Sequence, residues 1–186
     1  MRPDLVLLGA HAAGKSTAGE SLARLARVPF DDEIGKRLAF DPAWALGREA
    51  DERAADFDRE VFAREIARDA MARGPRIVES WHPGNLAYAE VRNEALVAPL
   101  FAQARRSGRG RCAVAVYLLA DDATRRRRAT EAGDPAFFGR VARRSLHWCG
   151  RLGIPVVGTI DTSNACPITV ARSVLELWEA QCAMFT

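Results

Sequence analysis

Lysine is almost missing from this chain. The chain has only two lysines, Lys15 and Lys36, but 25 arginines. A lysine at a particular position is therefore informative in this sequence. The formal net charge is only +3, with acidic and basic residues interleaved along the sequence. Such a balance gives no case for a nucleic-acid-binding surface, and we expect small-molecule ligands instead of a nucleic-acid partner.

Cysteine is also sparse, and long apolar runs are absent. The four cysteines lie far apart and show no spacing typical of a metal site or a redox pair, which favours reduced thiols. No apolar run approaches the roughly 18 residues of a membrane span, and the first residues do not resemble a secretory leader. We therefore expect a cytoplasmic protein with no membrane partner, built as one domain of 186 residues.

The most informative feature present is a glycine-containing loop near the N-terminus. A short apolar strand over 4–8 runs into Gly9-Ala10-His11-Ala12-Ala13-Gly14-Lys15-Ser16-Thr17, which fits the phosphate-binding pattern G-x-x-x-x-G-K-[ST]. The backbone N–H groups of such a loop and the start of the following helix attract phosphate. Lys15 would reach the outer phosphates, and the Ser16 hydroxyl would bind Mg²⁺. The expected nucleotide contacts are Gly9, Ala12, Ala13, Gly14, Lys15, Ser16 and Thr17.

Short apolar segments alternate with amphipathic ones along the rest of the chain. The apolar segments predict strands over 4–8, 76–79, 112–119 and 155–160, with a weaker strand over 28–31. Helices are predicted over 15–27, 51–73, 85–105, 121–131, 134–151 and 167–184. This alternation predicts an α/β fold with a parallel sheet, helices on both faces, and ligands at the carboxyl ends of the strands.

Acidic residues follow two of the predicted strands. Asp31 and Asp32 end the weaker strand and could hold Mg²⁺ or take a substrate hydroxyl, whereas Glu33 beside them is given less weight. A solvated helix start is the alternative for this cluster. Glu79 directly follows two buried β-branched residues, where a general base or a metal-organising carboxylate belongs. Which of Asp31, Asp32 and Glu79 takes which role stays open.

Basic and aromatic residues supply the remaining candidates. Arg125 and Arg128 share a helix face and could stabilise phosphate charge from a lid, with a solvated basic face as the alternative. Acceptor contacts are expected from the 31–60 region and from the segment after Glu79. These candidates are Arg37, Arg48, Phe57, Arg59, Trp81 and Asn85.

With these residues in view, the chain resembles the small P-loop kinases, which include nucleoside, nucleoside-monophosphate and shikimate kinases. Phe30-Asp31-Asp32 resembles the acidic strand end of shikimate-type kinases, and Glu79 with 85–89 is similar to a stretch of thymidylate and deoxynucleoside kinases. Ser80 stands where those kinases carry arginine. The stretch 119–128 resembles their lid region, and 157–163 their adenine-side turn.

The resemblance implies a three-layer P-loop fold with a five-stranded parallel core and a helical lid. It also implies ATP as phosphate donor, with Mg²⁺. We therefore predict an ATP-dependent kinase whose acceptor is a nucleoside, a nucleotide or a related metabolite. A shikimate-like, sugar or antibiotic kinase is the alternative, and a P-loop ATPase or regulator is a further one. The single domain would place its lid at about 121–151 and its acceptor-binding helices at about 31–73.

Overall fold

One parallel sheet organises the molecule. The computed structural model describes residues 2–41, 43–44, 51–108, 110–129 and 134–183, without the side chains of residues 51 and 52. Within these residues the strands are β1 (Asp4–Gly9), β2 (Phe30–Asp31), β3 (Ile77–Glu79), β4 (Ala113–Leu119) and β5 (Val156–Asp161). Their order is β2-β3-β1-β4-β5, and every neighbouring pair is parallel. The predicted strands and the predicted five-stranded core are confirmed.

The helices follow the predicted alternation with two differences. They are α1 (Lys15–Ala26), α2 (Ile34–Ala39), α3 (Asp51–Met71), α4 (Trp81–Arg92), α5 (Val97–Ser107), α6 (Asp122–Arg128), α7 (Pro135–Leu152) and α8 (Pro167–Cys182). The single helix predicted over 85–105 is wrong. Asn93 adopts an extended backbone, and its side chain accepts the N–H of Ala95, which starts a 3₁₀ turn between α4 and α5. Helix α2 was given no range of its own, although it falls within the stretch of about 31–73 that was predicted to hold acceptor-binding helices.

The two faces of the sheet bury different sets of side chains. Leu5 and Leu7 of β1 pack with α1 and α8, where Trp178 is fully buried. Val6 and Leu8 point the other way and pack with α4 and α7. This alternation is the two-residue period of a strand, and apolar residues at both sets of positions require helices on both faces. The three-layer architecture is therefore confirmed, with the carboxyl ends of the strands along one edge. No helix of the described residues is long and apolar enough to cross a membrane.

Candidate active site

The phosphate loop joins β1 to α1 at the carboxyl edge of the sheet. Gly9 has φ +143°, and a Cβ there would lie 2.3 Å from the carbonyl oxygen of Leu118, so only glycine fits. Ala12 and Gly14 also have positive φ, which curls the chain above α1. Gly14 is the N-cap of α1 and has no side chain to cover the first N–H groups of the helix. These N–H groups remain available to an anion, as a phosphate site requires.

Lys15 and Glu79 meet beneath this loop. The Lys15 ammonium donates to the carbonyl oxygens of Gly9 and Ala10, both at 3.2 Å, and lies 3.8 Å from Oε1 of Glu79. Both side chains are more than nine-tenths buried. Oε2 of Glu79 is also buried and has no hydrogen-bond partner among the described residues. A buried carboxylate oxygen without a partner is costly, so this atom marks a place where a ligand group would be stabilised.

A second carboxylate faces the same point. Glu33, the N-cap residue of α2, accepts a hydrogen bond from the Ser80 hydroxyl at 3.2 Å. Burial raises the pKa of Glu33, and the neighbouring charge of Glu79 raises it further, while Lys15 opposes both. Glu79 contacts the Lys15 ammonium directly, whereas Glu33 is joined to the same turn through Ser80. A group whose pKa is moved toward neutrality suits proton transfer better than an ordinary surface acid does.

The turn that presents Glu79 and Ser80 is strained. Ser80 and Trp81 both have positive φ, at 63° and 44°, although neither is glycine. Gly84, in the first turn of α4, packs directly against Ser80. A Cβ at Gly84 would lie 2.5 Å from the Cβ of Ser80, so a larger residue does not fit there. Two such residues in succession cost on the order of 2–6 kcal/mol, which the surrounding structure has to offset. Strain of this kind clusters at functional sites, which supports assigning one to this turn.

The lid arginine Arg128 lies against the other side of the phosphate loop. It donates to the side chain and the carbonyl oxygen of Thr162, at 3.1 and 2.7 Å, in the turn after β5. The buried Thr162 hydroxyl is 3.0 Å from the carbonyl oxygen of Ala13 in the loop. A Cβ at Gly14 would lie 3.7 Å from the Arg128 guanidinium. Arg128 is therefore held beside the phosphate loop.

An open cavity of about 330 Å³ lies between the phosphate loop and helices α6 and α7, which belong to the predicted lid. His11 and Ala12 line it from the loop, and Arg125 and Phe138 line it from α6 and α7. The His11 ring stacks on Phe138 with a centroid distance of 4.6 Å, so the loop and α7 are in direct contact. Arg125 pairs with Asp122 one turn earlier on α6. The segment 130–133 of the predicted lid lies outside the described residues.

Trp81 and Asn85, both predicted as acceptor contacts, lie in a buried polar network behind the site. The Trp81 indole donates to Asp69 of α3 at 2.9 Å, and the Asn85 amide donates to Glu65 of α3 at 3.2 Å. Asp69 also accepts from His82, Ser107 and Arg76. These side chains therefore hold α4 against α3.

The remaining predicted acceptor and metal residues are scattered around the site. Asp31 pairs with Arg76 at 2.8 Å, and Asp32 accepts from the exposed Arg37 at 2.7 Å. Both carboxylates are thus engaged by arginines. Arg59 is exposed and pairs with Asp56. Phe57 is buried between α2 and α3, and Arg48 lies outside the described residues.

Protein ligands alone do not build a metal site here. Within the described ranges, no group of three or more His, Cys, Asp or Glu side chains is arranged to hold a metal ion. Ser16 is the second residue of α1, directly after Lys15, and is partly accessible.

Sequence reasoning did not predict the hydrogen bond between Ser80 and Glu33, and did not identify Thr162 as a loop contact. Glu33 was visible as the third acid of a cluster, and the start of helix α2 is what turns it toward Ser80. Thr162 lies in the stretch predicted as an adenine-side turn, but its bond to Ala13 spans 149 positions. Such a contact has no local signal in the sequence.

Comparison with known proteins identifies the fold. No protein-family model and no curated protein matches the chain. Deoxyadenosine kinase from M. mycoides matches with a TM-score of 0.63 at 9% identity, over 95% of this chain and 98% of its own. Thymidylate kinase from Candida albicans matches at 0.60 and 16%, over 97% and 92%. Shikimate kinase from Acinetobacter baumannii matches at 0.57 and 17%, over 96% and 94%. The predicted resemblance to small P-loop kinases is confirmed at the level of the fold.

Proposed function

We propose that this chain is an ATP-dependent kinase that transfers a phosphoryl group to a hydroxyl of a small metabolite, of the nucleoside, nucleotide or related class. One observation carries the proposal. The phosphate-loop lysine, Lys15, lies 3.8 Å from a buried carboxylate, Glu79, whose other oxygen has no partner among the described residues. A phosphate cradle and a carboxylate facing one point are the two halves of a phosphoryl-transfer site. The similar solved structures are kinases by name, which supports the same class.

The roles of the residues follow from their positions. The N–H groups of 9–17 would hold the phosphates, and the ammonium of Lys15 would exchange its two loop carbonyls for phosphate oxygens. Glu79 would accept the proton of the attacking hydroxyl or orient the metal-bound water. Arg128, and Arg125 beside the lid cavity, would balance the charge on the phosphates as the lid closes.

The site fits a nucleotide with Mg²⁺. The unpartnered oxygen of Glu79 and the uncapped start of α1 supply an acceptor and a set of donors. Ser16 would ligate the ion directly. Asp31 and Asp32 could contribute only after releasing Arg76 and Arg37, so we place Glu79 ahead of them. When bound, Mg²⁺ would neutralise charge that develops between the outer phosphates.

Substitution of Lys15 tests the proposal, and the chain offers a natural control. Lys15→Ala should lower ATP-dependent phosphorylation by about 100-fold or more, because the charge on the transferred group loses its nearest cation. Lys36→Ala removes the only other lysine, which is exposed on α2, and should leave the rate unchanged. The assay is ADP formation over a panel of acceptors, with ATP binding followed by calorimetry. Absence of nucleotide binding in the folded wild-type protein would refute the proposed function.

A P-loop ATPase or regulator is the competing function. ATP would then be hydrolysed rapidly with no acceptor present, and added metabolites would not change the rate.

A further inference from the structure

We infer, on the premise of the proposed kinase function, that Thr162 is a positioning residue for the phosphates of the donor nucleotide. Its hydroxyl holds the Arg128 guanidinium at the start of α1 and joins that arginine to the phosphate loop. Thr162 acts through Arg128, and no contact between Thr162 and the substrate is part of the assignment.

Thr162 is buried where the end of β4, the turn after β5 and the phosphate loop meet. Its side chain is 3% exposed, and its backbone N–H donates to the carbonyl oxygen of Leu119 at 2.8 Å. Its hydroxyl oxygen lies 3.0 Å from the carbonyl oxygens of Leu119 and of Ala13 in the loop. The edge of the sheet therefore fixes this hydroxyl within hydrogen-bond distance of the phosphate loop.

Arg128 reaches the same residue from α6 with two of its nitrogens. Nη1 donates to the Thr162 hydroxyl at 3.1 Å, and Nη2 donates to the Thr162 carbonyl oxygen at 2.7 Å. Two bonds from one planar group fix its orientation better than one bond does. A guanidinium has five N–H donors, so Arg128 can meet an anion while it stays bonded to Thr162.

The direction of these hydrogen bonds links Arg128 to the loop. A guanidinium only donates, so the Thr162 hydroxyl accepts from it and keeps its own proton for a carbonyl oxygen such as that of Ala13. Hydrogen bonds arranged in such a chain strengthen one another, and a charged donor forms stronger bonds than a neutral one. One hydroxyl group thus couples the position of the arginine to the position of the loop.

Arg128 and Thr162 both lie beside the residue that opens α1. A Cβ at Gly14 would lie 3.7 Å from Nη1 of Arg128 and 3.9 Å from the Thr162 hydroxyl oxygen. Gly14 is the N-cap of α1 and provides no side chain to cover the first N–H groups of the helix. A cation held beside these N–H groups adds its charge to a place that already attracts phosphate. Without the Thr162 hydroxyl, Arg128 would keep only its bond to the backbone carbonyl oxygen.

Removal of the hydroxyl tests the assignment. Thr162→Val nearly keeps the shape of the side chain and should weaken ATP binding by about fivefold in calorimetry with Mg²⁺, the value of one ordinary hydrogen bond. Thr162→Ser keeps the hydroxyl and should bind ATP nearly as tightly as the wild-type protein. The inference is overturned if the folded valine variant binds ATP like the wild type, or if the serine variant binds as weakly as the valine variant.

Thr124→Val is the matched control. Thr124 is also 3% exposed and lies on the same helix as Arg128, but its hydroxyl bonds to Asp121 and Arg127. This substitution removes an equally buried hydroxyl without touching the phosphate loop, so the folded variant should keep the wild-type affinity for ATP. A loss equal to that of Thr162→Val would overturn the inference, because it would show that any buried hydroxyl of this region serves as well.

A double-mutant cycle separates positioning from a merely structural role. If Thr162 acts through Arg128, Thr162→Val should have little further effect on ATP affinity once Arg128 is replaced by alanine. If the two losses multiply, the residues act independently and the inference is wrong. Thr162→Ala takes the place of the valine variant in this cycle if that variant does not fold. Absence of ATP binding to the wild-type protein would instead reject the proposed kinase function.

Discussion

Replacing Asp69 by asparagine is the sharpest test of the buried network behind the site. Asp69 accepts hydrogen bonds from the Trp81 indole at 2.9 Å, from His82 at 2.7 Å and from Ser107 at 2.5 Å, and it pairs with Arg76. Removing one partner of a buried charged pair costs about 3–5 kcal/mol, because the other charge stays buried. We therefore expect Asp69→Asn to lower the free energy of unfolding by about 3–5 kcal/mol.

Urea unfolding measures this loss, and a thermal scan should show Tm falling by about 6–20 °C for a chain of this size. The control is Asp56→Asn on the same helix. Asp56 pairs with Arg59 in solvent, so its substitution should cost less than about 1 kcal/mol. Equal losses in the two variants would refute the view that Asp69 holds α3 against β3 and α4.

The pH dependence gives an independent check on Asp69. Burial acts to raise its pKa, but the hydrogen bond and charge of His82, with the bonds from Ser107 and Trp81, outweigh it and lower the pKa. A carboxylate with a lowered folded-state pKa contributes stability above its unfolded pKa, about 3.9, and loses it as pH falls through the folded value. The difference between wild type and Asp69→Asn should thus be flat from pH 7 to about 4 and shrink below that.

Two further predictions concern the lid and the thiols. Arg128→Ala should weaken ATP binding by about tenfold in calorimetry, because it removes the guanidinium beside Gly14, whereas the neighbouring Arg127→Ala should bind as wild type does. An equal loss of ATP affinity in both variants would show that the overall positive charge of α6, and not the position of Arg128, supports binding. Iodoacetamide at pH 7.5 should label Cys166 first, since it is exposed and its pKa is lowered by hydrogen bonds from Thr169, while burial raises the pKa of Cys149 to about 12. Mass spectrometry of the folded, labelled protein compares the peptides that contain Cys166 and Cys149. Equal labelling of the two would contradict this assignment.

The sequence was sufficient for the phosphate loop because its determinants lie in nine consecutive residues. Glycine at 9 and 14 permits the turn, and the apolar strand and following helix are themselves local patterns. The alternation of strands and helices then predicted the sheet and its two covered faces. The strand order was not predicted, because it depends on which strands pair across the sheet, and the local sequence pattern does not show that.

The acidic side chains could not be assigned in the same way. Asp31 is engaged by Arg76, which lies 45 positions away, and no local signal shows that pairing. Glu33 depends on a six-residue helix, α2, too short to give a clear periodicity. The partners of Trp81 and Asn85 could not be predicted for a related reason. Helix α4 starts at Trp81, four residues before the predicted start, so both side chains lie on the face that meets α3.

The hydrogen-bond network around Asp69 and the candidate site both use the turn over residues 79–82, so a change in one is expected to affect the other. Glu79 and Ser80 face Lys15 and Glu33, while Trp81 and His82, the next two residues, are held from behind by Asp69. Ser80 and Trp81 keep a positive φ that costs energy, and the hydrogen bonds from Trp81 and His82 to Asp69 hold the residues beside it. We expect loss of Asp69 to let this turn relax and to move Glu79 relative to the loop lysine. On the proposed function, the network would then hold Glu79 in place as well as stabilise the fold.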